Sequence, residues 1–157
     1  MKALAIENVQ DYPRPPALEP APQKLRVTLS GGVVAETGRG YRVLETHHAP
    51  TYYFPPQDVL AHLDQAEGRS VCEWKGIAIY WNVSMGGENA PRAAWSYPKP
   101  TKRFAPIAGF LAFYPAAMDE CFVDEHPVTP QPSDFYGGWT TDNIRGCIKG
   151  TPGTEYW

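Results

Sequence analysis

Glycine and proline interrupt this chain so often that a long helix has nowhere to run. Fourteen glycines and 17 prolines are spread over 157 residues, and prolines remove backbone donors while glycines loosen the chain wherever they fall. What remains between them is short and alternates with a period of two, the mark of half-buried strands. Leu25, Val27 and Leu29 alternate with Lys24, Arg26 and Thr28, and Ser30-Gly31-Gly32 turns this strand back into Val33-Val34-Ala35. A second turn at Thr37 to Gly40 leads into Tyr41 to Thr46, with Tyr41, Val43 and Glu45 on one face. Thr51 to Phe54 is bracketed by Pro50 and Pro55-Pro56, and Asp58 to Leu63 is expected to make one short helix behind those prolines. Further strands are expected from Lys75 to Ser84, closed at Gly86-Gly87 into Arg92 to Tyr97, and from Ile107 to Tyr114. The fold class is mainly β: a single compact antiparallel domain with one short helix.

The chain divides into a Pro-rich arm over residues 1–24, a β core over 25–115 and a wrapping tail over 116–157. Five prolines in residues 12–22 bar that stretch from a central strand, so an arm draped over the sheet is expected, anchored by Tyr12 and Leu18. The tail carries Phe135, Tyr136, Trp139 and Trp157, too much apolar surface to leave in water. They are expected to be buried on the domain, or across a homodimer.

The net charge of −3 includes no basic cluster beyond Lys99, Lys102 and Arg103, which argues against nucleic acid as a partner. No apolar run approaches the roughly 18 residues needed to cross a bilayer, and Met1 to Asn8 lacks a signal-peptide core. No membrane partner and a cytoplasmic location follow as expectations. Cys72, Cys121 and Cys147 are widely spaced and odd in number, which suits reduced thiols better than a disulfide framework. Without a Cys-x-x-Cys pair, no metal and no other cofactor is expected.

Chemistry concentrates in Ser70-Val-Cys-Glu-Trp-Lys-Gly-Ile-Ala-Ile-Tyr-Trp81. Lys75 heads an apolar run in which Ile77, Ile79, Trp81 and Val83 share its face if the strand is regular. A lysine so placed snorkels, pairs with a carboxylate, or does chemistry. Glu45, on an apolar face of its own strand, is the carboxylate best placed to pair with it. A structural ion pair and a functional pair both remain open. His47, His48 and His62 read as surface or capping residues, and His126, before Pro127 in an acidic stretch, reads as exposed.

Four motifs taken in order, Glu45-Thr-His-His-Ala-Pro-Thr-Tyr-Tyr-Phe-Pro-Pro-Gln-Asp-Val59, Ser70 to Trp81, Ala93-Ala-Trp-Ser-Tyr-Pro-Lys-Pro100 and Ile107-Ala-Gly-Phe-Leu-Ala-Phe-Tyr-Pro115, resemble the DUF427 family. The arm at Tyr12 to Pro20 and Phe135-Tyr-Gly-Gly-Trp139 resemble a longer subgroup of it. The resemblance implies a compact β-tent, Mss4-like domain and no settled activity. This chain departs from the family's Cys-Pro-Tyr-Lys-Gly with Cys72-Glu73-Trp74-Lys75-Gly76. Relatives are sometimes labelled nucleotidyltransferases, yet no two acidic residues here stand two positions apart, so the usual carboxylate clamp for metal ions is missing.

The candidate site therefore comes from the motifs themselves. Lys75 is the candidate base or amine nucleophile, Glu45 the carboxylate that tunes it, and Cys72 a second nucleophile. Tyr52, Tyr53, Trp95 and Tyr97 are candidate ligand-binding walls, flat surfaces with polar handles. The expected partner is a small-molecule ligand, held either by an enzyme or by a non-catalytic binding module.

Overall fold

A computed structural model gives the fold and describes residues 3–133 and 135–154. In chain order the main strands are β1 (Ala17–Ala21), β2 (Leu25–Leu29), β3 (Gly32–Thr37), β4 (Gly40–Leu44), β5 (Thr51–Tyr53), β6 (His62–Cys72), β7 (Gly76–Met85), β8 (Glu88–Ser96), β9 (Ala112–Phe113), β10 (Glu120–Val123) and β11 (His126–Pro127). The protein is mainly β, and its main sheets are antiparallel. Every helical segment among the described residues is a short 3-10 turn. None is long and apolar enough to cross a membrane.

One sheet runs β9-β8-β7-β6, a second β11-β10-β2-β3, and a third, smaller one β1-β4-β5. The first two are joined through a core of Leu25, Val27, Val34, Val83, Phe54, Phe113 and Val123, which Trp139 completes. Trp139 is 1% exposed and donates its indole N–H to the Phe113 carbonyl at 3.1 Å. A second cluster, Val43, Tyr53, Tyr80, Trp95, Tyr97, Phe104 and Ile107, lies under the third sheet and beside the candidate site.

The Pro-rich arm supplies β1, which takes an edge position on β4, where a proline such as Pro20 forfeits no central hydrogen bond. Ahead of it, Glu7–Asn8 pairs in parallel with Ile144–Arg145. Arg42 on β4 ties these pieces together. Its guanidinium forks onto Glu7 at 2.8 and 2.9 Å and donates to Glu19 at 2.7 Å, while Tyr12 donates to Glu7 at 2.5 Å.

Several local expectations are revised. The short helix expected over Asp58 to Leu63 forms one step earlier, as a 3-10 turn at Pro56–Asp58, and by His62 the chain is already in β6. The strand expected over Ile107 to Tyr114 shrinks to β9, because a 3-10 stretch at Lys102–Ile107 and Gly109 at φ +75° occupy its beginning. On β7 the buried face is Ala78 and Tyr80, while Ile77 points outward and is 49% exposed. Tail burial is also uneven: Trp139 is buried, Tyr136 is half-buried and Phe135 is 66% exposed. Trp157 lies outside the described residues.

Candidate functional site

Lys75 belongs to no strand. It closes the turn Glu73-Trp74-Lys75 between β6 and β7, where Cys72 pairs with Gly76. Gly76 sits at φ +113°, a conformation open to glycine at little cost, and this breaks the alternation that would place Lys75 beside Ile77. Thr101 clamps the turn from outside, its N–H donating to the Lys75 carbonyl at 3.0 Å and its hydroxyl to the Trp74 carbonyl at 2.7 Å. The side chain is thereby aimed inward, with Nζ 5.8 Å from the Tyr97 ring centre and 6.0 Å from that of Phe104.

The space it reaches is an open cavity of about 560 Å³. Lys75, Glu45, Cys72, Tyr53, Trp95 and Tyr97 all line it. Tyr52 does not. On a strand, adjacent residues face opposite ways, so once Tyr53 turns to the cavity Tyr52 turns into the other core, where its ring lies 5.2 Å from that of Trp139. Burial raises the phenol of Tyr52, and the Arg42 cation beside it partly offsets this.

Glu45 and Lys75 share the cavity without pairing. The Glu45 carboxylate lies 3.6 Å from Arg14 of the arm and 3.9 Å from His48 Nε2. Among the described residues, no carboxylate comes within ion-pair distance of Lys75 Nζ.

His48 is a cavity residue, contrary to its reading as a surface or capping group. Burial, and then the cations Lys149, Arg14 and Lys75, push its imidazole down to about 4. It is therefore neutral at pH 7. Gln131 sets its tautomer: the Gln131 carbonyl oxygen accepts from Ala49 N–H at 3.2 Å, and its amide nitrogen donates to the Lys149 carbonyl at 2.9 Å and to His48 Nδ1 at 3.2 Å. With Nδ1 accepting, the proton sits on Nε2, on the Glu45 side. His126 also departs from expectation, being 7% exposed with Nδ1 3.5 Å from Asp142.

The walls are aromatic and polar together. Tyr114 lies 4.5 Å from the Trp95 ring centre, and Ser70 and Tyr80 share a 2.8 Å hydrogen bond. Burial raises the phenols of Tyr53, Tyr97 and Tyr114, so they stay protonated and can donate. The tail forms one lip: Tyr136 meets the His48 ring edge-on at 5.0 Å, and Lys149 Nζ stands 5.5 Å from the Tyr136 ring centre. This close approach requires glycine, since a β-carbon at Gly137 would overlap the Trp95 ring and one at Gly138 would overlap Gln131. Among the described residues no group of His, Cys, Asp and Glu could hold a metal ion.

His48, Gln131, Tyr136 and Lys149 were not singled out from the sequence as site residues. Tyr136 stood in a recognised aromatic-glycine motif, whereas Gln131 had no local signal, because its role is a contact 83 positions away. No curated protein matches the chain. A family model described as "Domain of unknown function (DUF427)" matches residues 17–124, a span that includes Glu45, His48, Cys72, Lys75 and Trp95 and stops short of Gln131, Tyr136 and Lys149. With more than half of its length matched, the chain belongs to the DUF427 family.

Proposed function

We propose that the cavity binds a small organic molecule with a flat ring and an acidic group, the ring against Trp95 and the tyrosines and the acid between Lys75 and Lys149. The observation that carries this reading is the convergence of two lysines on one aromatic-walled cavity, Lys75 without a carboxylate partner among the described residues. Ligand pockets of this kind combine mostly apolar walls with a few fixed polar groups. Glu45 and the His48 Nε2–H supply an acceptor and a donor for a hydroxyl or amide on the same ligand. A β-tent, Mss4-like classification of the antiparallel sheets and the cytoplasm as the place of action belong to the same proposal.

An enzymatic reading draws on a specific feature: Lys75 and Cys72, both nucleophile types, open onto the same cavity as Glu45 and His48.

A thermal-shift screen of aromatic carboxylates and phosphates, repeated on Lys75→Met, tests the proposal. The variant should lose ligand-induced stabilisation while its own stability changes by less than about 1 kcal/mol, because no buried carboxylate is orphaned. Undiminished binding by Lys75→Met would defeat the assignment. Product formed over long incubation with a binding compound would establish the enzyme; binding without product would establish the module.

A further inference from the structure

A second cavity of about 570 Å³ adjoins the first, with Ser70, Tyr80, Tyr114 and Tyr136 bordering both. Its distinguishing residues are two arginines, Arg69 on β6 and Arg92 on β8, which flank β7 from either side.

The guanidinium of Arg92 is held in place by several features. The residue stands at φ +51° where the β7-β8 register shifts, and its N–H donates to Asn82 Oδ1 at 2.9 Å. A non-glycine residue in this region marks a locally imposed conformation. From there the side chain crosses Gly68, donates through Nη1 to the Glu67 carbonyl at 2.9 Å, and lies with Cζ 4.2 Å from the centre of the Tyr80 ring. A β-carbon on Gly68 would stand 2.8 Å from Nη1. The group is thus fixed by backbone and ring, leaving most of its five N–H donors unspent.

A shared cavity together with the lack of a counter-ion sets these two arginines apart: Arg103 and Arg145 also have no ion pair among the described residues, but they line neither cavity. Arg14, Arg26, Arg39 and Arg42 each face a carboxylate, with Glu45, Glu36, Asp58 and Glu7 as partners. Among the described residues, no carboxylate comes within 4.0 Å of Arg69 or Arg92. Guanidinium groups match planar and tetrahedral oxyanions through paired N–H donors.

We propose that Arg92 and Arg69 form an oxyanion subsite that takes a carboxylate or phosphate group. Joined to the first cavity across Tyr80 and Tyr114, it selects an elongated ligand with an acidic group at this end as well. The subsite does not rest on occupancy of the first cavity, because its charged residues are different ones.

The test is a titration of the full chain with inorganic phosphate, and separately with acetate, against chloride at matched ionic strength, following the arginine Nε–Hε and lysine Nζ signals by NMR. The expected result is saturable movement of Arg92 and Arg69, with affinity for the better anion falling about tenfold or more in Arg69→Gln, as for loss of a charge-assisted hydrogen bond. Arg92→Lys, which keeps the charge but not the fork, should weaken binding as well. Should Arg92→Lys fail to fold, the wild-type signals and Arg69→Gln decide alone. Equal shifts with chloride, or unchanged affinity in Arg69→Gln, would overturn the subsite. Movement confined to Lys75 and Lys149 would overturn it while supporting the first cavity; movement at the arginines alone would do the reverse.

Discussion

His48 shows how a residue's surroundings decide its chemistry. Burial and three neighbouring cations hold it neutral, with its folded value near 4 against an ordinary 6.5. The unfolded chain takes up a proton there sooner than the folded one does, so the contribution to stability is fully present above pH 6.5 and is lost as the pH falls from 6.5 toward 4. Between pH 8 and pH 5 the loss from this residue should be on the order of 2 kcal/mol. Denaturant unfolding of the wild type and His48→Gln at both pH values checks this: the variant should lose less stability over that interval, and parallel losses would show that the imidazole is not held neutral.

Among the elements, β5 and the tail carry the clearest consequences. The alternation of β5 sends Tyr53 to the cavity and Tyr52 to the core, a division that two adjacent tyrosines in a motif cannot reveal until the strand's facing is known. The tail divides in the same way. Trp139 is sealed between Tyr52, Phe54 and the Phe113 carbonyl, so Trp139→Ala should cost about 3 to 5 kcal/mol. Phe135, three-fifths or more in solvent, should tolerate Phe135→Ala within about 0.5 kcal/mol. Thermal or chemical melts of the two variants would separate a packed tail from a loosely laid one. Equal costs would contradict this division of labour.

At the scale of the whole molecule, Arg42 fastens the arm to the sheet. Burial alone would raise the Glu7 carboxyl, but hydrogen bonds from Arg42 and Tyr12 outweigh it and hold it below its ordinary 4.5. Its contribution to stability is therefore present above that value and disappears as the pH drops through the lowered folded value. Arg42→Met would leave Glu7 without its cation. The cost should be about 2 kcal/mol at pH 7, less than for a fully buried pair because Glu19 keeps contact with solvent. The variant's arm should also become open to proteolysis near Pro13 to Pro16, measured by limited digestion; a wild-type digestion pattern would refute the fastening role.

The β class, the hairpins at Ser30 to Gly32 and Gly86-Gly87, and the family were legible in the residues themselves, because turn chemistry and two-residue periodicity act over a few positions. Of the residues drawn from the recognisable motifs, Glu45, Cys72, Lys75, Tyr53, Trp95 and Tyr97 line one cavity, and Tyr52, expected among them, does not. Facing and pairing were not legible. Lys75 escaped strand alternation through one glycine at positive φ, Ile77 faced outward because Ala78 and Tyr80 took the core, and Glu45 found Arg14 and His48 in place of Lys75. Gln131, Tyr136 and Lys149 joined the site only when the tail folded across Trp95. Local propensity is written in neighbouring residues, whereas these contacts depend on where distant segments come to rest, and only the packed tertiary structure decides that.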